Sequence, residues 1–241
     1  MALNIVLHKE ILTKILKDIY ADISLASFLG FKGGTAASFF YELDRFSIDL
    51  DFDLLDVSQE GFIFEKVRDI ISRYGKIKEA RKKRFNLFYL LSYEEKKSGA
   101  PNIKVEINRR DFGSKYAIHT YLGISMKVMV QEDMIAHKMV AMYERIGRTN
   151  RDIYDVWFFL DHHWSINDAI ITQRTKMPFK VFVQRCIDVL GTVDNTKILD
   201  GLGDLLTPKQ KIWAKAHLLE DAIFNLRLLL DNIERATPTG S

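Results

Sequence analysis

Residues 47–55 read SIDLDFDLL, a strict alternation of polar and apolar side chains. Alternation with period two marks a half-buried β-strand, because successive side chains point to opposite faces of a sheet. It sets Asp49, Asp51 and Asp53 on one face and Ile48, Leu50, Phe52 and Leu54 on the other. The apolar face suits a core. The acidic face needs a reason, since neighbouring carboxylates repel and burying an unpaired one is costly. Divalent cations reverse that repulsion, and hard Mg²⁺ prefers carboxylate and phosphate oxygens. An exposed sheet face, polar for no chemical purpose, is the alternative.

Two further stretches bear on these acids. Upstream, Gly33, Gly34 and Thr35 stand between a mostly apolar strand, ISLASFLGF, and a short helix over AASFFYEL, with Thr35 as its expected N-cap. Paired glycines at such a turn let backbone approach an anion closely, and the free N–H groups of a helix N-terminus suit phosphate. An ordinary turn is the other reading. Downstream, NIKVEINRR alternates again, with Lys104, Glu106 and Asn108 on one face and Val105 and Ile107 on the other. Paired beside residues 48–54, this strand brings Glu106 to Asp49 and Asp51. An ion pair of Glu106 with Lys104 or Arg109 is the alternative. A phosphate cradle combined with a carboxylate set suits a nucleoside triphosphate with Mg²⁺.

The remaining periodicity predicts helices over residues 8–21 and 60–74, and strands at FNLFYLLSYEE and NIKVEINRR joined by a KKSGAP turn. The expected class is α/β (α+β): a small mixed sheet in residues 1–125, then a helical domain in 126–241. Helices are expected over QEDMIAHKMVAMYERI, DIYDVWFFLDHH, 178–190 and 208–235. On the first of these, Lys138 and Arg145 share a face, and Arg148 and Arg151 follow in the loop. The cluster suits a triphosphate or an RNA backbone, or else a solvated face with ion pairs along the helix. Lys138 sits among Ile135, Met139, Val140 and Met142, where a lysine needs a charged partner. Asp152 can cap the next helix, and Asp155 can pair with Arg151.

Bulk properties narrow the class. With 47% apolar and 28% charged residues, the chain is of ordinary globular composition, and no apolar run is long enough to suggest a membrane span. The start, MALNIVLHKEIL, has neither a basic leader nor a small-residue cleavage site, and Cys186 is the only cysteine. Both fit a cytoplasmic protein. A net charge of +3 means that nucleic-acid binding would need a local basic patch. KIKEARKKR, residues 76–84, followed by Phe85, Phe88 and Tyr89, is one candidate, with a solvated loop as the plain alternative. His162 and His163 read as cap or surface residues, and Cys186 as core.

The run KGGTAASFFYELDRFSIDLDFDL resembles the nucleotidyltransferase superfamily of the DNA polymerase β type, in which a Gly-Gly or Gly-Ser turn precedes Asp-hydrophobic-Asp on the next strand. Within it, the run is similar to the AbiEii/AbiGii abortive-infection toxins and MenT-like toxins. The likeness continues through IKVEINRR and EDMIAHKMVAMYERIGRTNRDIYDVWFFL, about residues 31–160. It implies a metal set of Asp49, Asp51 and Glu106, with Mg²⁺, two ions, as cofactor. It implies triphosphate contacts from Gly33, Gly34, Thr35, Arg45 and Ser47. In the helical half, Lys138 matches the family's lysine, and Asp152 and Asp155 match its Arg-Asp-x-x-Asp element. Arg145 and Arg151 are further candidates for the substrate. The implied activity is transfer of a nucleotide from an NTP to an RNA acceptor, the tRNA 3′ end in particular, blocking translation as the toxin of a toxin–antitoxin pair. Transfer to a protein side chain, or a non-catalytic RNA- or antitoxin-binding module, remain the alternatives.

Overall fold

The computed structural model describes residues 4–93 and 102–236. The chain divides into two compact units, residues 1–130 and 131–241. The division falls a few residues past 125 because residues 124–129 are a strand of the first unit's sheet.

The first unit runs α1 (Ile5–Ala21), α2 (Ile23–Ala26), β1 (Leu29–Lys32), α3 (Gly33–Phe40), β2 (Asp49–Leu54), α4 (Glu60–Ser72), β3 (Lys76–Lys82), β4 (Asn86–Ser92), β5 (Asn102–Asn108), β6 (Tyr116–Tyr121) and β7 (Ile124–Met129). The strands form one mixed sheet in the order β3-β4-β5-β2-β1-β7-β6. β2 runs parallel to β5, and β1 parallel to β7; the other neighbours are antiparallel. Leu50, Phe52, Val105 and Ile107 point to the core face, where Leu12, Ile15, Leu16 and Ile19 of α1 and Ile63, Val67 and Ile71 of α4 are also fully buried. Burial of this kind contributes about 1.5–3 kcal/mol per large apolar side chain. One strand face therefore anchors the sheet and leaves the acids of β2 on the other.

Several expectations are corrected. ISLASFLGF is not one strand: Asp22 caps a helical turn at Ile23–Ala26 by accepting from Ser24 N, and only Leu29–Lys32 is extended. Thr35 is not an N-cap. The helix begins at Gly33, and the Thr35 hydroxyl donates to the Asp49 carbonyl at 2.5 Å. Most of the basic run 76–84 is not a loop: Lys76–Lys82 form the edge strand β3. A bulge between Ile77 and Glu79 breaks its alternation, and lysines are a usual protection of a sheet edge. β6 and β7 form a hairpin that the periodicity did not single out. Its turn uses Leu122 and Gly123, both at positive φ (49° and 78°), where Asn-Gly would have been the clearer signal. β4 and β5 pair antiparallel as expected, while the KKSGAP turn lies outside the described residues.

The second unit runs α5 (Gln131–Arg145), α6 (Arg151–Asp161), α7 (Asp168–Thr175), α8 (Phe179–Leu190), α9 (Pro208–Trp213) and α10 (Leu219–Ala236). α7 was not expected. Residues 208–235 are not one regular helix, because a π-helical stretch at Ala214–Leu218 separates α9 from α10. Thr207 and Gln210 form a reciprocal capping box with Pro208 in the first turn of α9. His162 is the C-cap residue of α6, and Cys186 is buried in α8, where burial pushes its thiol up to about 12.

Candidate active site

Parallel pairing of β2 with β5 sets Asp49 beside Lys104, Asp51 beside Glu106 and Asp53 beside Asn108. Cross-strand neighbours in register share a face, so Asp49, Asp51 and Glu106 look out from one side of the sheet. The ion-pair alternative for Glu106 is also realised. Lys104 Nζ lies 3.1 Å from Asp49 Oδ2 and 3.2 Å from Glu106 Oε2, spanning the two strands. Burial works to lower the Lys104 pKa, but attraction to Asp49, Asp51 and Glu106 outweighs it and raises it. Asn86 of β4 donates to Glu106 Oε1 at 2.7 Å.

This donor set is chemically suited to a hard divalent ion: three carboxylates on one face, with a cationic ammonium already standing between two of them. Among the described residues, no three acidic, His or Cys side chains are gathered at ligand spacing. The carboxylates share a face but are not closed into a cage.

The glycine turn meets this face. Gly33 has φ +82°, and a Cβ there would lie 2.5 Å from Asp51 Oδ2. A Cβ on Gly34 would lie 2.9 Å from both Arg45 Nη2 and Ser47 Oγ. The two glycines are thus required by the close approach of Asp51, Arg45 and Ser47, and the amino end of α3 has no side-chain cap. Arg45 is buried and donates to the Phe46 carbonyl at 2.9 Å. Gly33, Gly34, Thr35, Arg45, Ser47, Asp49 and Asp51 are therefore neighbours. The Asp51 carboxylate has no hydrogen-bond or ion-pair partner among the described residues.

Asp53 differs. It is buried and accepts from Lys32 Nζ at 2.5 Å, Asn108 Nδ2 at 2.8 Å and the Tyr116 hydroxyl at 2.6 Å. Burial would raise its pKa, but the Lys32 charge and these hydrogen bonds hold it below the ordinary carboxylate value. The Tyr116 ring packs where a side chain on Gly30 would stand. Asp53 is a closed structural pair. Sequence alternation could not separate it from Asp49 and Asp51, and it carried no signal for Lys32 or Tyr116.

In the helical unit, Lys138 joins two fully buried acids, Asp152 at 3.2 Å and Asp155 at 2.7 Å. Arg145 Nη2 approaches Asp152 Oδ2 at 3.0 Å, outside hydrogen-bonding geometry, so that oxygen has charge compensation without a donor aimed at it. The charged partner that Lys138 needed is thus present. Asp152 is not a cap, because Asn150 precedes α6 at that position. Arg151 opens α6, half-buried, and Arg148 is exposed.

Three of the six basic side chains of the run 76–84 pair with acids of their own unit. Arg81 pairs with Glu79 at 2.5 Å, Lys83 with Glu79 at 3.8 Å and Lys82 with Glu60 at 3.4 Å. Exposed Arg84 and Arg110 instead flank the Phe85 ring, each 4.9 Å from its centroid. No helix among the described residues is long and apolar enough to cross a membrane.

Comparison with known proteins bears on both units. A Helicobacter pylori protein provisionally described as a nucleotidyltransferase aligns with a TM-score of 0.64 at 21% identity, over 98% of this chain and 99% of that one. JHP933 from Helicobacter pylori aligns with a TM-score of 0.61 at 22% identity, over 98% and 96%. MenT4, a nucleotidyltransferase toxin of Mycobacterium tuberculosis H37Rv, aligns with a TM-score of 0.51 at 18% identity, over 93% and 90%. At such identities the likeness is one of fold. No curated protein sequence matches significantly. The family model described as "Nucleotidyl transferase AbiEii toxin, Type IV TA system" matches residues 14–222, most of the chain. The chain belongs to the AbiEii family of nucleotidyltransferase toxins.

Proposed function

We propose that the protein transfers a nucleotide from a nucleoside triphosphate to an RNA acceptor, the 3′ end of tRNA, and so blocks translation in the cytoplasm. The observation that carries this reading is the register of β2 on β5, which sets Glu106 opposite Asp51 beside the glycine turn. Membership of a toxin–antitoxin family implies a nucleotide substrate and an antitoxin partner.

Asp49, Asp51 and Glu106 would hold Mg²⁺, in two sites. When bound, Mg²⁺ activates an acceptor hydroxyl and neutralises the departing pyrophosphate. The chain's own groups orient the triphosphate. Gly33 and Gly34 form the amino end of α3, which no side chain caps, Ser47 offers a hydroxyl, and Arg45 brings a guanidinium against Gly34. Thr35 acts indirectly, since its hydroxyl ties α3 to the Asp49 carbonyl and fixes the turn against β2. For Lys138, Asp152, Asp155, Arg145 and Arg151, a part in transfer rests on the resemblance. Their mutual charge balance supports an equal need for them in folding.

The test is incubation of total RNA with the protein, Mg²⁺ and each of four labelled nucleotides, in parallel with Asp51→Asn. Label should enter RNA with the wild type and fall by about a hundredfold or more in the variant. Label that resists ribonuclease but not protease would move the acceptor to protein. No label with any nucleotide, and equal toxicity of wild type and variant in cells, would refute the proposal.

A further inference from the structure

We propose that Lys104 is an internal counter-cation of the acid set, and that a divalent ion binds by displacing its ammonium from Asp49 and Glu106. Metal loading is then an exchange of one cation for another, and Lys104 sets the concentration at which it occurs. The inference rests on the metal-binding reading of Asp49, Asp51 and Glu106.

The geometry separates Lys104 from an ordinary structural pair. It lies in register with Asp49 across the strand pair and two positions before Glu106 on the same face. One ammonium thereby bridges carboxylates of two strands, at 3.1 and 3.2 Å. The side chains are partly sheltered, 27% exposed for Lys104 and 13% for Asp49, so repulsion among the acids is weakly screened. A nearby contrast shows what a permanent pair looks like. Lys32 meets Asp53 at 2.5 Å, and Asn108 and Tyr116 supply further donors that complete the shell. Around Lys104 the shell is less complete: Asn86 donates to Glu106 and the ammonium bridges Glu106 and Asp49, but Asp51, whose charge the ammonium also feels, has no hydrogen-bond donor among the described residues.

Charge points the same way. Three carboxylates against one ammonium leave the set negative, so it still attracts a divalent ion. The ammonium cannot remain between the same oxygens once they ligate. Mg²⁺ draws oxygens to about 2.0–2.1 Å, and a cation held in that space repels it. In the absence of metal, the same ammonium relieves the repulsion that would otherwise oppose pairing of β2 with β5. Lys104 is a positioning residue: it acts on the acids and through them on the metal.

The test is a calorimetric titration of the full chain with MgCl₂, without nucleotide, for wild type, Lys104→Met and Lys104→Arg. Lys104→Met should bind Mg²⁺ about tenfold more tightly, because the competing charge is gone. In EDTA it should melt below the wild type, with the gap closing as Mg²⁺ is added. Lys104→Arg, whose planar fork can hold two carboxylates at once, should bind Mg²⁺ more weakly than the wild type. Equal or weaker binding by Lys104→Met overturns the inference while leaving the metal site intact. If Lys104→Met does not fold, equal or tighter binding by Lys104→Arg overturns it. Absence of Mg²⁺ binding in all three proteins overturns the metal-binding reading itself.

Discussion

The carboxylate of Asp51 occupies the space that a side chain on residue 33 would need: a Cβ there would stand 2.5 Å from Asp51 Oδ2. Glycine and acid are therefore one structural unit, although a helix and the loop after it separate them along the chain.

Gly33→Ala should destabilise the first unit and displace Asp51 together. The residue would be held at φ +82°, which costs about 1–3 kcal/mol for a non-glycine, before the collision is counted. Urea denaturation measures the first effect and Mg²⁺ calorimetry the second. Wild-type values in both would show that the turn tolerates a side chain.

Lys138→Met should destabilise the helical unit by about 3 kcal/mol or more, because it leaves Asp152 and Asp155 buried with their main cation gone. Adding Asp155→Leu should recover part of the loss, since an apolar replacement removes the orphaned charge. A double-mutant cycle in urea measures this. Additive losses would mean that the pair adds nothing to stability by its interaction.

Stability should decline as pH falls below neutrality, in part through His8. Its ring is buried, with Nε2 3.0 Å from the Ile48 carbonyl and Nδ1 2.7 Å from the Tyr93 hydroxyl. A neutral ring protonated on Nε2 satisfies both contacts. Burial lowers its pKa from 6.5, against the Ile48 carbonyl and the Asp49 charge, which pull it up. The unfolded chain therefore takes up the proton first, so this contribution is complete above about 6.5 and is lost as pH falls toward the folded value. Urea midpoints at pH 7.5 and 5.5 should differ less in His8→Gln than in the wild type.

If the acceptor is RNA, Arg84→Glu with Arg110→Glu should weaken its binding without changing Mg²⁺ affinity. The slope of log affinity against log salt should fall by about 0.7 for each phosphate that the protein no longer neutralises. Lys82→Glu should matter less, as Lys82 already faces Glu60. Filter binding of tRNA at graded salt decides it; an unchanged slope would place the acceptor elsewhere.

Local chemistry was legible in the residues. Period-two alternation set Asp49, Asp51 and Glu106 each on the polar face of its own strand, and helical periodicity marked α1, α4, α5, α6 and α8. The charged edge strand β3 was not legible, because a bulge interrupts its alternation and its lysines face solvent. Nor was the β6–β7 hairpin, whose Leu-Gly turn lacks the usual signal.

Sequence alone determined which acids can share a face and that glycines precede them, since both follow from backbone geometry within a few residues. Tertiary structure decided their fates. Parallel pairing of β2 with β5 is non-local, and its register chose Glu106 as the partner of Asp51, gave Lys104 to Asp49 and Glu106, and set Asn108 beside Asp53, while β1 and β6 supplied the Lys32 and Tyr116 that close it. A strand's own pattern specifies which way its side chains point, but the neighbour they meet is set by strand order and register, which only the packed sheet supplies.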